Sequence, residues 1–333
     1  MNITVIGAGA IGGHIAAKLA AAGESVKVVA RGEHLKAIRE RGLKLKENGE
    51  EIVARVEATD RIAEAGGADL IVLGVKAHQL APIAAEVASI VAPTTTIMTT
   101  QNGIPWWYFF KHGGRYEGVR LESVDPGGVI ASHLPIDAVV AAIIYQAAEI
   151  ESPGIIRHVE GHRLPLAEID GAKTERIAAL SELFTNAGFK SPALSDVRSE
   201  IWMKLWGNLT FNPVSALSHA TLEDICRFAP TRALAAAMMR EAQTVGEAFG
   251  IRFRLSIDKR IAGAESIGAH KTSMLQDIEH GRAIEIDALL GSVTELARLA
   301  NVATPHLDAI CAVTKLLGET VVGSGSGMSL TRP

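Results

Sequence analysis

The chain begins with an apolar segment that runs directly into a glycine-rich turn. Residues 2–6 read NITVI, which is typical of a buried strand, and the pattern G-x-G-x-x-G follows without a gap. An alanine-rich segment over 14–22 is predicted to be a helix. Strand, glycine-rich turn and helix in this order are typical of the βαβ unit that binds the pyrophosphate of a dinucleotide. The predicted cofactor-binding residues of this turn are Gly7, Ala8, Gly9, Ala10, Ile11 and Gly12.

The three glycines of the turn are expected to have different tasks. Gly7 permits a tight turn, and Gly9 lets the backbone approach the pyrophosphate closely. Gly12 lets the helix and the strand pack against each other. The amides at the positive end of the helix would then donate hydrogen bonds to the pyrophosphate. The alternative is a glycine-rich turn that binds nothing.

The end of the second predicted strand indicates which dinucleotide is bound. Arg31 follows this strand about twenty residues after the glycines, where an NAD enzyme usually carries Asp or Glu, and the first acid is Glu33. A guanidinium can pair bidentately with a 2′-phosphate, and a hydrogen bond to a charged group contributes about 1.5–3 kcal/mol. We therefore predict NADP, bound as NADPH, as the cofactor. The alternative is a solvated surface arginine.

Short β-branched runs alternate with helical patterns through the first two-thirds of the chain. Such runs are expected of buried parallel strands, and their alternation with helices indicates a right-handed doubly wound sheet. A pair of strands near the sheet edge is predicted from 154–159 and 163–167. The other predicted strands are 26–30, 70–75, 96–100 and 139–147, and the predicted helices are 14–22, 80–90 and 174–187.

From about Ser195 onward the strand pattern is replaced by helical patterns. The predicted fold class is therefore α/β, with a Rossmann-like doubly wound sheet followed by an all-α C-terminal domain. The predicted bounds are 1–194 for the NADP-binding domain, 195–322 for the helical substrate and catalytic domain, and 323–333 for a flexible tail. The helices predicted in the second domain are 197–211, 222–228, 231–249, 273–279, 286–300 and 305–318.

Length, charge and cysteine content limit the classes of protein that fit this chain. With 333 residues it is long enough for two domains, and a hydrophobic fraction of 48% argues against disorder. The net charge is −4 and no basic run stands out, which argues against nucleic acid as a partner. Cys226 and Cys311 are too few for a disulfide framework, which fits a reducing cytoplasm. No stretch approaches roughly 20 uninterrupted apolar residues, so no membrane partner is expected.

A second pattern, in residues 202–212, places one lysine and two amides on one face of a predicted helix. Lys204, Asn208 and Asn212 are spaced i, i+4, i+8, and the tryptophans of this segment point roughly the other way. Pro213 is expected to limit the helix. A lysine desolvated by apolar neighbours loses proton affinity, which moves its pKa toward the range of a general acid. The pattern predicts a proton donor beside a small polar substrate; the alternative is an exposed lysine with chance asparagines.

Several motifs, taken in order, resemble those of the ketopantoate reductase family, the 2-dehydropantoate 2-reductases of pantothenate synthesis. The resemblance covers nearly the whole length of the chain. It implies an NADPH-dependent reductase that converts the 2-oxoacid ketopantoate to pantoate. The motifs are the turn at 7–12, VKAHQ at 75–79, QNG at 101–103, the Lys204 helix, and TSMLQD at 272–277 followed by EID at 285–287.

The resemblance also implies roles for single residues. Lys204 would protonate the C2 oxygen as hydride arrives from the nicotinamide, and Glu285 would orient that oxygen and the lysine. Asn102 would lie near the nicotinamide ribose and the lysine, and Lys76 would lie near the cofactor. The remaining contacts implied for the substrate are those of Asn208 and Asn212 with its distal hydroxyl and of Ser273 with its carboxylate.

Two departures from the family pattern affect the predicted substrate site. His270 stands where a substrate-binding asparagine is expected. The segment 104–135, which begins with a run of aromatic residues, is longer than the helix with which family members usually cross this region. Its aromatic cluster would be either additional core or a wall that reshapes the pocket. A paralogous reductase of a bulkier 2-oxoacid is therefore an alternative function.

Two further classes of function fit parts of the sequence. A 3-hydroxyacid or opine-type dehydrogenase pairs similar domains, but the hydroxyacid family usually places its lysine and asparagine three residues apart. Lys204 and Asn208 are four apart. A non-catalytic NADP sensor need not retain Lys204 and Glu285 together, so their joint presence argues against a sensor.

Other charged and apolar patterns are assigned to structure. His158 and His162 would not share a helix face on a predicted strand and turn, so no metal site is predicted. The segment 258–260 is interpreted as a solvated charge group. The apolar helices at 231–249 and 286–300 would suit either an intrachain core or the interface of a homodimer.

Overall fold

Strands and helices alternate in the N-terminal part of the chain, as predicted. The computed structural model describes residues 1–329. The strands are β1 (Asn2–Ile6), β2 (Ser25–Val29), β3 (Leu43–Glu47), β4 (Glu50–Ala54), β5 (Glu57–Thr59), β6 (Leu70–Leu73), β7 (Thr96–Thr99), β8 (Val139–Ala142), β9 (Ala147–Ser152), β10 (Ile155–Glu160) and β11 (Leu166–Glu168). The helices of this part are α1 (Ala10–Ala21), α2 (Gly32–Arg41), α3 (Ala84–Ser89), α4 (Val129–His133) and α5 (Glu175–Asn186).

Seven of these strands form the main sheet, in the order β11-β8-β7-β6-β1-β2-β5. All neighbouring pairs are parallel except β11 and β8. The chain order reverses at β1, so the carboxyl ends of β1 and β6 meet at a topological switch point, where sheets of this kind bind ligands. Strand β6 reads LIVL and all four residues are buried, which is typical of a sheet covered on both faces. The predicted Rossmann-like sheet is confirmed.

The remaining strands form a second sheet that the sequence did not predict, in the order β4-β3-β10-β9. The predicted pairing of 154–159 with 163–167 is wrong, because β10 pairs with β9 and β3 while β11 pairs with β8. Strand β3 shows why this sheet is hard to predict. Only Leu43 and Leu45 are buried in it, and the lysines that alternate with them are partly exposed. Two buried residues are too short a pattern to be distinguished from a loop.

Helix α1 packs against the second sheet. The Cβ that Gly13 lacks would lie 2.8 Å from the side chain of Ile156 on β10, so the missing side chain lets helix and sheet approach closely. The neighbouring ring of His14 is fully buried, and this burial lowers its pKa to about 4. The helix that starts at the glycine-rich turn is therefore held by packing against β3, β4, β9 and β10.

Beyond residue 197 the chain is helical, which confirms the predicted all-α region. The elements are α6 (Val197–Ser218), α7 (Leu222–Arg227), α8 (Ala229–Ala248), α9 (Ile257–Glu265), α10 (Ser273–Glu279), a π-helical turn (Asp287–Gly291), α11 (Ser292–Ala300) and α12 (Pro305–Ser324). Helix α8 packs against α11 and α12, so the apolar faces predicted at 231–249 and 286–300 supply an intrachain core. Within residues 1–329, no helix combines the length and the apolar character needed to cross a membrane.

Helix α6 continues past Pro213 to Ser218, so the prediction that this proline limits the helix is wrong. A proline inside a helix lacks an amide donor and costs about 3 kcal/mol. Val214 and Ala216, which follow it, are buried. The apolar surface that they remove from water offsets part of this cost.

The contacts divide the chain into two compact units, and each unit is made of three separate segments of the chain. Unit 1 consists of Met1–Gln101, Trp106–Arg120 and Asp125–Val197. Unit 2 consists of Asn102–Pro105, Leu121–Val124 and the residues from Arg198 onward. Two short segments from within the predicted first domain, 1–194, thus belong to the second unit. At the other end α12 reaches Ser324, so the predicted tail begins as helix, and its residues 330–333 lie outside the described part of the chain.

The aromatic residues that follow the QNG motif are buried in unit 1. Trp106, Trp107, Tyr108 and Phe109 are each at most 4% exposed. Trp107 Nε1 donates a hydrogen bond of 3.0 Å to Thr99 Oγ1 at the end of β7. These side chains supply additional core, which is the first of the two predicted interpretations of this cluster.

Candidate active site

The glycine-rich turn leaves one open position beside the N-terminus of α1. Gly7 has a φ of +94°, and its missing Cβ would lie 2.7 Å from Val75 Cγ1. At Gly12 a Cβ would lie 2.0 Å from the carbonyl oxygen of Gly7, so only glycine permits this approach of helix and strand. At Gly9 no atom of the described residues, apart from its two chain neighbours, lies within 4 Å of the missing Cβ. The turn therefore has the shape of an anion cradle, packed at both ends and open beside the amides of the first helical turn.

Arg31 stands at the N-terminal boundary of α2, directly after β2. Its side chain is exposed and makes no ion pair with any residue in the range 1–329. The strand end behind it is fixed, because the amide of Ala30 donates to the carbonyl of Thr59 on β5 at 2.9 Å. A guanidinium in this position is suited to bind a phosphate with two parallel hydrogen bonds.

His34 joins the glycine-rich turn to the second sheet, and the sequence analysis did not single it out. Its Nε2–H donates to the carbonyl oxygen of Ala8 at 2.9 Å, and its Nδ1 accepts from the amide of Gly154 at 3.0 Å. Burial lowers the pKa of this ring, which favours the neutral form that can donate and accept at once. Both partners belong to other elements, so the local sequence around His34 carries no signal of this role.

The VKAHQ and QNG motifs meet at the carboxyl edge of the main sheet. The side-chain amide of Gln101 donates to the carbonyl oxygens of Leu73 at 2.8 Å and Val75 at 3.0 Å. The amide of Lys76 in turn donates to Gln79 Oε1 at 3.0 Å. The end of β7 is thereby fixed to the end of β6, next to the switch point of the sheet.

Lys204 lies on α6 with its ammonium group bonded to Asn102. The Nζ atom donates a hydrogen bond to Asn102 Oδ1. Burial lowers the pKa of Lys204 to about 8, and the nearby carboxylate of Glu285 acts in the opposite direction. Trp202 and Trp206 of the same helix are fully buried and anchor it in the core. We call Lys204, Asn102 and Glu285 the acid group, because a lysine with a pKa near 8 can act as a general acid near neutral pH.

The loop that carries Asn102 is docked on the π-helical turn. Gly103 has a φ of +87°, and its missing Cβ would lie 2.0 Å from the carbonyl oxygen of Ala288. The amide of Ile104 donates to that same oxygen at 2.9 Å. The turn follows Glu285 closely in the chain, and π-helical turns occur frequently at functional sites. Unit 2 thus brings together three residues that the sequence analysis named for catalysis and binding.

Asn208 and Asn212 share the face of α6 that carries Lys204. Asn208 is half-buried and Asn212 is buried. Arg260 of α9 packs against this helix, since its Nη2 lies only 1.9 Å from the position that a Cβ of Gly207 would take. The interpretation of 258–260 as a solvated charge group fits Asp258 and Lys259, which are exposed. It is wrong for Arg260, because its guanidinium fills the space that Gly207 leaves.

Ser273 and His270 lie at the start of α10. Ser273 is the first residue of that helix and is exposed, and Thr272 before it accepts a hydrogen bond from the amide of Leu275 at 3.3 Å. His270 is half-buried, and its carbonyl oxygen accepts from the amide of Leu222 at 3.1 Å. No hydrogen bond within the described residues joins Ser273 to the acid group. Its contact with a substrate carboxylate stays a prediction.

A doubly wound sheet with an open glycine-rich turn, followed by a helical unit, is typical of the class of two-domain dinucleotide-binding proteins. A family model described as "Ketopantoate reductase PanE/ApbA" matches residues 3–171, and its companion, "Ketopantoate reductase PanE/ApbA C terminal", matches residues 196–318. A 2-dehydropantoate 2-reductase of Mesorhizobium japonicum is 50% identical over 318 residues, which cover 95% of this chain and 98% of that protein. The chain belongs to the ketopantoate reductase family.

Solved structures show the same relationship. A crystal structure from Ralstonia solanacearum MolK2, described as a candidate ketopantoate reductase, is 38% identical with a TM-score of 0.92 and covers 96% of this chain and 98% of that one. A D-mandelate dehydrogenase with NADH and anilino(oxo)acetate has a TM-score of 0.82 and covers 96% of this chain and 99% of that one. Its identity is 23%, so this second likeness shows the shared fold alone.

Proposed function

We propose that the protein reduces 2-dehydropantoate (ketopantoate) to pantoate, with NADPH as the hydride donor and Lys204 as the proton donor. The observation that carries this proposal is the acid group, in which a partly buried ammonium with a pKa near 8 is held by Asn102. The 50% identity to a relative named 2-dehydropantoate 2-reductase supports the substrate. NADPH, when bound, supplies the hydride for the carbonyl carbon.

The acid group acts on the carbonyl oxygen of the substrate. Negative charge develops on this oxygen during reduction, and Lys204 Nζ stabilises it first with a hydrogen bond and then with a proton. Asn102 fixes the direction of the ammonium, and the charge of Glu285 keeps it protonated near neutral pH. Burial lowers the pKa of Lys204, whereas the charge of Glu285 raises it. With the resulting pKa of about 8, the lysine is protonated at pH 7 and can still release its proton readily.

The remaining predicted contacts concern the cofactor and the substrate. The amides of the glycine-rich turn would bind the pyrophosphate, Arg31 the 2′-phosphate, and Lys76 would lie near the cofactor. Asn208 and Asn212 would bind the distal hydroxyl of the substrate. The substrate carboxylate would be bound by Ser273.

Arg31→Ala is expected to weaken NADPH binding about tenfold to a hundredfold, because a hydrogen bond to a charged group contributes about 1.5–3 kcal/mol. NADH binding should be unchanged, since NADH has no 2′-phosphate. Fluorescence titration with both cofactors measures the effect. Arg41→Ala, at the other end of the same helix, is the matched control and should leave both affinities at the wild-type value. Equal losses for NADPH and NADH in Arg31→Ala would contradict the phosphate role.

The pH dependence of turnover should follow the proton on Lys204. With a pKa of about 8, the ammonium form needed for ketopantoate reduction is present below pH 8, and kcat/KM should fall about tenfold per pH unit above it. Oxidation of pantoate needs the neutral amine and should rise over the same range. Glu285→Gln removes the charge that raises the pKa of Lys204, so both profiles should move to lower pH. Profiles that do not move in this variant would show that another group donates the proton.

Oxidation of NADPH by the purified protein tests the substrate. The panel consists of ketopantoate and several bulkier 2-oxoacids, each measured with NADPH and with NADH. Preference for ketopantoate with NADPH supports the proposal. Turnover with bulkier acids only would assign the chain to a paralogous reductase that keeps the acid group, and the segment 104–135 would then be the first place to seek its specificity. No turnover with any 2-oxoacid would favour a non-catalytic NADP sensor.

We further propose that the enzyme works in the cytoplasm, where both of its cysteines remain reduced. Cys226 and Cys311 are buried free thiols, and burial raises the pKa of each, which keeps them unreactive. The homodimer stays a prediction, and the molar mass in solution checks it.

A further inference from the structure

Three histidines from two distant parts of the chain converge on the carboxylate of Glu47 in unit 1. His14 lies on α1, Glu47 ends β3, His158 lies on β10, and His162 follows that strand. The distances from Glu47 Oε1 are 3.3 Å to His14 Nε2, 3.5 Å to His158 Nδ1 and 3.8 Å to His162 Nδ1. The side chain of His14 is fully buried, and those of His158 and Glu47 are 4% and 10% exposed.

Two of these separations, 3.3 Å to His14 and 3.5 Å to His158, match the edges of a tetrahedral metal site. Zinc binds nitrogen at about 2.0–2.1 Å and carboxylate oxygen at about 2.0–2.2 Å, which separates the ligand atoms of a tetrahedral ion by about 3.3–3.5 Å. The ligand atoms of His14, Glu47 and His158 all lie within 4.8 Å of one another. These three side chains therefore lie close enough together to share one metal ion.

The hydrogen bonds of His158 point to a cation between its ring and the carboxylate. Its Nε2 lies 2.7 Å from the carbonyl oxygen of Gly161, so this nitrogen carries a hydrogen and donates. The other ring nitrogen, Nδ1, then faces Glu47 Oε1 at 3.5 Å. A cation between these two atoms would be bound by both. A ring nitrogen that donates to a backbone carbonyl while the other binds the ion is the usual arrangement of metal-bound histidine.

His14 and Lys18 both direct a nitrogen at the carboxylate of Glu47. Among the described residues His14 Nδ1 has no hydrogen-bond partner, so the only polar contact of this ring is made through Nε2, which faces Glu47. Lys18 Nζ donates to the other carboxylate oxygen, Glu47 Oε2, at 2.6 Å and lies over the ring of Phe189. The lysine thus orients the carboxylate and leaves Oε1 directed at the three imidazoles.

We propose that His14, Glu47 and His158 form a structural site for a divalent first-row transition-metal ion such as zinc, and that His162, whose Nδ1 lies 3.8 Å from Glu47 Oε1, turns toward the ion as the fourth ligand. Imidazole nitrogens and one carboxylate oxygen are suited to zinc, and four protein ligands are typical of a structural site. The ion enters past His162, whose side chain is 45% exposed. It links α1 to β3 and β10, so the helix that begins at the glycine-rich turn is tied to the second sheet.

The sequence analysis predicted no metal site, because the four-residue spacing of His158 and His162 is not on a helix. On the strand and turn that the structure shows, the two rings come together instead, with 4.7 Å between their centroids. His14 and Glu47 are more than a hundred residues earlier in the chain, so no local spacing could have included them.

Zinc binding by tag-free protein that has been treated with a chelator tests the site. After titration and gel filtration, about one zinc per chain should remain bound, and cobalt in place of zinc should give the visible absorption of a tetrahedral ion. His158→Gln should weaken zinc binding at least about a hundredfold, more than the loss of an orienting partner alone, which costs about 10–100-fold. Zinc should also raise the melting temperature of the wild type and not of His158→Gln.

His306→Gln is the matched control, because this histidine is also paired with a glutamate, Glu241, at 2.6 Å, but belongs to unit 2. It should bind zinc as the wild type does. His162→Gln, which changes an exposed side chain, keeps the test independent of folding and should weaken binding at least about tenfold. Substoichiometric zinc in the wild type, or equal zinc affinity in all of these variants, would overturn the proposal and leave a shared proton as the cation beside Glu47.

Discussion

Replacing Lys204 with alanine is expected to lower kcat for ketopantoate reduction at least about a hundredfold, the usual contribution of a general acid. The affinity for NADPH should be unchanged, because the glycine-rich turn and Arg31 belong to unit 1 and the lysine to unit 2. Steady-state kinetics at pH 7 measures the loss, and fluorescence titration measures the cofactor affinity. A kcat near the wild-type value would remove Lys204 from the mechanism.

Two further variants separate the proton from the positive charge. Lys204→Arg keeps a charge at this position, but a guanidinium does not release its proton in this pH range, so kcat should stay low. Recovery of kcat in the arginine variant would mean that the charge alone stabilises the developing oxyanion. Lys259→Ala is the matched control, since Lys259 is an exposed lysine on α9 in the same unit, and its kcat should equal that of the wild type.

Gly103→Ala is expected to lower kcat/KM about a hundredfold, the effect that a displacement of about 1 Å can have at a catalytic site. The new Cβ would lie 2.0 Å from the carbonyl oxygen of Ala288 and 2.4 Å from its carbon, so the loop must move away from the π-helical turn. Asn102 moves with it and releases Lys204. Kinetics and thermal melting of the same preparation measure the two consequences.

Gly250→Ala separates this clash from backbone strain. Gly250 is in the same unit and has a φ of +81°, close to the +87° of Gly103. Apart from its two chain neighbours, however, no atom of the described residues lies within 4 Å of its missing Cβ. The strain is therefore similar in both variants, and only Gly103→Ala should lose activity beyond the loss of stability. Asn102→Ala should lose activity to a similar degree as Gly103→Ala. If Gly103→Ala and Gly250→Ala retain equal activity, the docking of this loop does not position the acid group.

The glycine-rich turn and the lysine helix could be predicted because their information is local. Gly7, Gly9 and Gly12 follow a strand and open a helix. Their order in the motif already indicates why each position requires glycine. The face shared by Lys204 and Asn208 follows from helical periodicity alone. Contacts between distant segments cannot be predicted in this way, because no local spacing of residues indicates them.

The hydrogen bond between Lys204 and Asn102 joins residues 102 positions apart, and no spacing rule leads to it. Asn102 entered the sequence analysis only through the resemblance to a family. The second sheet has the same difficulty, because about a third of the chain separates β3 from β10 and each strand offers few buried residues. The ring of His34 and the carboxylate of Glu47 find their partners through that sheet, so their surroundings could not be predicted without it.

The composition of unit 2 has a consequence for recombining this protein with its relatives. A chimera joined at residue 197 would take its coenzyme half from one parent and its helical half from the other, yet Asn102–Pro105 and Leu121–Val124 would come with the coenzyme half. Asn102, which orients Lys204, would then come from the same parent as Arg31. Gly103 would have to pack against an Ala288 carbonyl that comes from the other parent. If Arg31 binds the 2′-phosphate as proposed, exchanging coenzyme preference between relatives calls for replacing the edge around Arg31 alone, and not the half that contains it.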